Sequence, residues 1–360
     1  IAPRRPGGKG ALRSIDAQSG IAQTGGRQGG DADDHPARRA VKPRVLVTRA
    51  WPEACQRALG ERFDVTLNPS DTPMSPAELA EALRSFDAVA PTVSDKMPAE
   101  AFEGATAKIV ANYGVGFSHI DVAAAKAAGV VVTNTPGVLT DCTADLGMAL
   151  LLAAARRLGE GERELRAGAW TGWRPTHLIG ARVTGATLGI IGFGRIGQAM
   201  ARRAKHGFGM RILFQNRSAP APEIVAELGA ERRETVDEVM AEADFVSLHC
   251  PGGAENRHLI DARRIALMKP TAFLINTARG EVVDEAALAA ALREKRIAGA
   301  GLDVYEREPA VEPALLDCEN AVLAPHLGSA TENTRVAMGM KALDNLTAFF
   351  DGRDPPDRVA

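Results

Sequence analysis

Three polar residues in the second half of the chain, Arg279, Glu308 and His326, are of the types that move a proton beside a held anion. A guanidinium presents a planar fork that matches a carboxylate with two hydrogen bonds. An imidazole gives or takes a proton, and a carboxylate can orient and tune it. Upstream lies the run Gly192-Phe193-Gly194-Arg195-Ile196-Gly197. A GxGxxG loop between a strand and a helix binds a dinucleotide. Together these features describe hydride transfer between a nicotinamide and a 2-keto or 2-hydroxy acid.

Glycine triplets also occur by chance, so the loop's context decides. It follows the apolar run Thr187-Leu188-Gly189-Ile190-Ile191 and opens a helical pattern over residues 196–206. Gly192 permits the tight turn, Gly194 lets backbone approach the pyrophosphate, and Gly197 lets the helix sit close to the sheet. The N–H groups that start the helix, at Arg195 and Ile196, then face the phosphates.

An NAD site usually carries an acid about 20 residues past this loop, on the ribose hydroxyls. This chain has no acidic residue between Gly197 and Glu223, and Asn216-Arg217-Ser218 stands in its place. Arg217 can pair with a 2′-phosphate, while Asn216 and Ser218 can hydrogen-bond to it. The pocket reads as acid-free, which favours NADP(H) and leaves NAD as the alternative.

The catalytic candidates sit where strands end. Asn276-Thr277-Ala278-Arg279-Gly280 follows the apolar run 272–275, Asp303 and Glu308 follow 300–302, and Pro325-His326-Leu327-Gly328 follows 321–323. Ligands of open α/β sheets bind at carboxyl ends of strands, so these pieces are expected to converge on one cleft. Thr277, Ala278, Asp303 and Gly328 count with the cofactor pocket. His249-Cys250-Pro251 ends another strand, and Cys250 and Pro251 are expected to line the cofactor through backbone.

These positions demand two alternating strand–helix series. The first runs through apolar stretches at 45–48, 65–67, 88–90, 108–112 and 130–133, with helices near 53–59, 76–83 and 120–127. A long Ala/Leu helix over 141–157 has little polar face and is expected to be buried. The second series has six strands, at 187–191, 211–214, 245–248, 272–275, 300–302 and 321–323. Short apolar runs alternating with helices imply parallel sheets with crossover connections. The last helix, 332–350, is free to return to the first series. The expected fold is α/β, two doubly wound parallel-sheet domains, with a Rossmann cofactor domain (140–328) inserted in a discontinuous flavodoxin-like substrate domain (43–139 and 329–360). Residues 1–42 have few large apolar groups and no periodicity, and read as a disordered leader.

Composition narrows the function. A formal net charge of −2 gives no basic field, so nucleic acid is not an expected partner. Cys55, Cys142, Cys250 and Cys318 are far apart, with no metal-ligand spacing and no disulfide framework, which fits a reducing cytoplasm. The longest apolar stretch, 146–155, is too short to span a bilayer.

From about Pro43 onward the chain resembles the D-isomer-specific 2-hydroxyacid dehydrogenases, and within them the glyoxylate/hydroxypyruvate reductases. The resemblance is carried by Asn112-Tyr113-Gly114-Val115-Gly116-Phe117, by Leu139 to Asp145, by the glycine loop, by Asn276 to Asp284, by Ala298 to Val304 and by Pro325 to Ser329. It implies that Arg279 orients the substrate, Glu308 pairs with the histidine, and His326 is the acid/base. It also implies that N–H groups at Val115 and Gly116 hold the substrate carboxylate and that the product is the D-hydroxy acid. The segment holding Trp170 and Trp173 would form an arm of a homodimer. Asn216-Arg217-Ser218 resembles the NADP-preferring members. Two other readings share the fold: an NAD-dependent phosphoglycerate-type dehydrogenase, and an NAD(H)-sensing corepressor.

Overall fold

The computed structural model describes residues 41–359, so the expected leader lies outside the described residues except for its last two positions. Of these, Lys42 donates to the carbonyls of Gly60 and Glu61, both at 2.8 Å.

The first sheet has five strands: β1 (Arg44–Val47), β2 (Asp64–Leu67), β3 (Ala88–Ala90), β4 (Ile109–Ala111) and β5 (Val131–Thr133). Their order is β2-β1-β3-β4-β5 and every pair is parallel. This is the flavodoxin-like doubly wound order. Successive side chains leave a strand on opposite faces, and both faces here are covered. Val45, Val47, Ala88, Ala90 and Ile109 pack with Met338, Ala342 and Leu346 of the C-terminal helix Glu332–Phe350. Leu46, Val89 and Val110 pack with Leu79 and Leu83 of the helix Pro76–Ser85. Burial on both sides is why β1, β3 and β4 read as apolar runs and not as alternating patterns, while the edge strand β2 stays largely exposed.

The second sheet has seven strands: β6 (Thr187–Ile191), β7 (Arg211–Gln215), β8 (Glu231–Arg232), β9 (Phe245–Leu248), β10 (Phe273–Asn276), β11 (Gly299–Leu302) and β12 (Ala321–Leu323). They lie in the order β12-β11-β10-β9-β6-β7-β8, again all parallel. One face packs on Ala144, Met148 and Leu151 of the buried helix Thr140–Ala155. The other packs on Val239, Leu288 and Leu292.

The apolar runs of the sequence predict six strands here. The seventh is β8, two polar residues paired with Leu213 and Phe214, and it carries no apolar run to announce it. The chain leaves β6 toward β7 on one side and returns to β9 on the other. That reversal opens a crevice at the carboxyl ends of β6 and β9, the usual ligand position in doubly wound sheets.

Candidate active site

Carboxyl ends of both sheets line one cleft of about 1290 Å³. From the seven-stranded sheet come Gly194, Arg195 and Ile196, Arg217, Cys250 and Pro251, Thr277 to Arg279, Asp303, Glu308, His326 and Gly328. From the five-stranded sheet come Val115 and Gly116, together with Arg49, Trp51 and Thr92. Four of the sequence-predicted residues, Gly192, Gly197, Asn216 and Ser218, are not among those lining it.

The glycine loop fits a dinucleotide. Gly192 has φ 92°, and a Cβ there would lie 2.5 Å from the Cys250 nitrogen. The loops after β6 and β9 therefore touch at the switch point. Around Gly194 a Cβ would meet nothing within 4 Å, so the backbone stands open to a phosphate. Phe193, between these glycines, is buried and stacks on Phe214 of β7 with centroids 4.3 Å apart. Asn216 ties the same loop to the end of β7. Its Oδ1 accepts from the Phe193 N–H at 2.9 Å, and its Nδ2 donates to the Ser218 carbonyl and Oγ at 2.8 and 3.2 Å.

The pocket around Arg217 is not acid-free. Its guanidinium pairs with the Glu255 carboxylate, which belongs to the short 3-10 turn Ala254–Asn256 after β9. The stretch from Gly197 to Glu223 has no acid, but the acid arrives from 38 residues further along the chain.

At the other end of the cleft the catalytic candidates meet. Asn276 ends β10 fully buried, and its side chain folds the next turn. Its Oδ1 accepts from the Ala278 N–H and its Nδ2 donates to the Arg279 carbonyl, both at 3.0 Å. The Arg279 side chain then crosses toward the five-stranded sheet. A Cβ on Gly116 would lie 1.8 Å from its guanidinium, so arginine and the 114–116 loop are in direct apposition. Partial burial in the cleft lowers the guanidinium's pKa, opposed by Glu308 and Glu281, yet an arginine stays charged.

His326 adopts a left-handed backbone (φ 55°), uncommon for a residue with a Cβ. Buried Asp303 holds it there. The Asp303 carbonyl accepts from the His326 N–H at 2.9 Å, and its two carboxylate oxygens accept from the Leu327 and Gly328 N–H groups at 2.6 and 2.8 Å. His326 Nδ1 lies 2.8 Å from Glu308 Oε2, with side chains 30% and 32% exposed. Glu308 Oε1 accepts from the Tyr305 N–H at 3.0 Å. Burial would push the Glu308 carboxyl up. His326, the Tyr305 N–H and Arg279 outweigh that and hold it below its ordinary value. The result is a fixed cation beside an open loop, with an oriented imidazole–carboxylate pair in the same cleft.

A model of the D-isomer specific 2-hydroxyacid dehydrogenase NAD-binding domain matches residues 148–328. The glyoxylate reductase of Thermococcus onnurineus is 49% identical over 324 residues, covering 89% of this chain and 96% of that protein. The chain belongs to the D-isomer specific 2-hydroxyacid dehydrogenases. It is an NAD(P)-dependent oxidoreductase of that family. Among solved structures, an NADPH-dependent glyoxylate/hydroxypyruvate reductase from Sinorhizobium meliloti, determined with NADP and malonate, superposes with a TM-score of 0.79 at 37% identity, covering 89% of this chain and 97% of that one. A dehydrogenase of the same family from Polaromonas gives a TM-score of 0.82 at 36% identity, covering 89% and 100%.

Two largely buried histidines back the cleft, of which the sequence singled out His249 but not His119. His119 lies beneath the 113–117 loop, its Nε2 at 3.1 Å from Asn112 Oδ1. The Asn112 amide donates to the carbonyls of Gly114 and Gly116 at 3.0 and 3.1 Å, so Asn112 Oδ1 accepts the His119 N–H. Burial, helped by the Arg279 charge, pushes His119 down to about 4. His249 is a second neutral histidine, behind the glycine loop. Its Nε2 lies 2.9 Å from Ser247 Oγ, and burial holds it at about 4. Cys250 beside it is pushed up to about 11 by burial, which makes it a poor nucleophile. The motif around Asn112 was a signal for the first pair. A lone histidine two residues beyond Phe117 gave none.

Proposed function

We propose that this enzyme reduces glyoxylate, and hydroxypyruvate beside it, to the D-2-hydroxy acid with NADPH. The observation that carries the reading is the apposition of the Arg279 guanidinium to Gly116, in the cleft that also holds the His326–Glu308 pair. Related proteins named for glyoxylate reduction support the substrate, and the NADPH-dependent structural neighbour supports the cofactor.

The division of labour follows the sheets. Residues 43–139 and 329–360 form the substrate domain, and 140–328 hold the dinucleotide. Arg279 and the N–H groups of Val115 and Gly116 take the substrate carboxylate, which aligns the 2-carbonyl. When bound, the reduced nicotinamide supplies the hydride that the 2-carbonyl carbon accepts. His326 donates a proton to the carbonyl oxygen through Nε2, because Nδ1 is held by Glu308. Glu308 orients the ring and offsets its positive charge, and Arg279 stabilises negative charge growing on the oxygen. Asp303 fixes the backbone that carries His326. Gly194, Arg195 and Ile196 face the pyrophosphate, and Cys250, Pro251, Thr277, Ala278 and Gly328 form the wall around it. Arg217 takes the 2′-phosphate.

The exposed apolar residues Leu158, Leu165, Trp170, Trp173 and Ile179 are concentrated in one segment of the chain, which supports an interface there. A homodimer is the assembly we propose. Steady-state rates for glyoxylate, hydroxypyruvate, pyruvate and phosphohydroxypyruvate, each with NADPH and NADH, test the reading. Highest kcat/KM for glyoxylate or hydroxypyruvate with NADPH is expected. Preference for the phosphorylated acid with NADH would favour the phosphoglycerate-type alternative, and no turnover would favour a sensor.

A further inference from the structure

We propose that Glu255 is a cofactor-selectivity residue, whose carboxylate pairs with the Arg217 guanidinium and competes there with the 2′-phosphate of NADP(H). The proposal rests on the NADPH reading above. Arg217 stands at the carboxyl end of the second strand of the dinucleotide fold, where the adenosine ribose is read. Of the three residues there, Asn216 already spends both side-chain groups on Phe193 and Ser218. Arg217 is therefore the charged group that can answer a 2′-phosphate, with the Ser218 hydroxyl as a neutral neighbour, and it is paired with Glu255.

The turn that presents Glu255 is built. Gly253, at φ 102°, donates its N–H to Glu281 Oε1 at 2.5 Å. Asn256 donates its N–H to the Gly253 carbonyl at 3.0 Å and its side-chain amide to the Pro251 carbonyl at 2.9 Å. Glu255 and Arg217 both line the cleft. The anchored turn fixes where the carboxylate is offered.

The pair is also weak enough to exchange. Its side chains are 66% and 73% exposed, and exposed ion pairs contribute little. A phosphate dianion carries more charge than a carboxylate and matches the guanidinium fork as well. It displaces Glu255, whereas the bare ribose hydroxyls of NAD(H) do not. Glu255 thus costs NADP(H) a displacement and leaves NAD(H) nearly untouched. Arg217 makes the site able to take NADP(H), and Glu255 sets by how much.

Calorimetric titration of NADP⁺ and NAD⁺ into wild type, Glu255→Gln, Arg217→Ala and the double variant tests this without turnover. Glu255→Gln keeps the size of the side chain and removes its charge. Its Kd for NADP⁺ should fall about three- to tenfold, with the NAD⁺ value changing less than about twofold. The gain should shrink at high salt and in the Arg217→Ala background. If Glu255→Gln leaves NADP⁺ affinity unchanged, or moves both cofactors equally, while Arg217→Ala still weakens NADP⁺, the Glu255 proposal alone is overturned. If Arg217→Ala leaves NADP⁺ affinity unmoved, the NADPH reading falls and this proposal with it.

Discussion

At the proposed catalytic end of the cleft the side chains are backed by buried groups, whereas at the proposed adenosine end two exposed side chains meet in solvent. Arg279 is aimed by the buried amide of Asn276 and lies against Gly116. His326 is held by buried Asp303 and by Glu308. Among the described residues, the Arg217 and Glu255 side chains pair only with each other. The contrast shows where the fold spends its constraint. Chemistry needs atoms placed to fractions of an ångström, so it is built on strand ends with buried support. Cofactor choice needs only the sign of a charge near one ribose, so it can rest on groups that exchange easily.

If buried support is what makes the cleft rigid, the largely buried histidines behind its two loops, His119 under the 113–117 loop and His249 behind the glycine loop, should matter most to stability. Folding lowers His119 and His249 from the ordinary 6.5 to about 4. Between those values the unfolded chain binds protons that the folded one refuses. Stability contributed by the neutral rings is fully present above 6.5 and is lost as pH falls to about 4. The loss is on the order of 3 kcal/mol for each ring at full titration. Thermal midpoints of His119→Gln should therefore decline less than wild type across that window, and Arg217→Ala should follow wild type. Parallel curves for His119→Gln would mean its ring is solvated and the support under the substrate loop is misassigned.

A step down in size, Arg279→Lys keeps charge and removes the fork. We expect kcat/KM for glyoxylate to drop roughly a hundredfold, mostly through KM, with NADPH binding preserved. Gly116→Ala should lose part of the same activity, because a methyl there would lie 1.8 Å from the guanidinium. Unchanged keto-acid kinetics in both variants would make Arg279 a structural residue.

The smallest effects belong to the adenosine end. Asn216→Asp keeps the acceptor for the Phe193 N–H but puts a carboxylate beside the 2′-phosphate. The NADPH over NADH ratio of kcat/KM should fall about tenfold, and Arg217→Ala should move it the same way. A ratio that neither change moves would erase the functional difference between the two ends.

The same contrast governs what could be read from sequence. Arg279, Glu308 and His326 were readable because each follows an apolar run, and strand ends in parallel sheets converge by construction. The two-sheet fold was readable for the same reason. β8 was not, since Glu231 and Arg232 form a strand only by pairing with β7. Glu255 was missed because its contact with Arg217 joins two polar loops 38 residues apart, with no periodicity to couple them. Asp303 carried too little local pattern to show that its carboxylate would bind the His326 loop.

The central claim is that His326 supplies the proton in a site whose cofactor pocket is independent of it. Rapid-mixing measurement of nicotinamide oxidation with glyoxylate, on wild type and His326→Ala at saturating NADPH, tests it directly, with NADPH affinity titrated on the same preparations. The rate constant for the first turnover should fall by roughly 10²–10⁴-fold while the NADPH Kd stays within about twofold. A first turnover near the wild-type rate would contradict the assignment of His326, and a lost NADPH affinity would contradict the separation of the two ends.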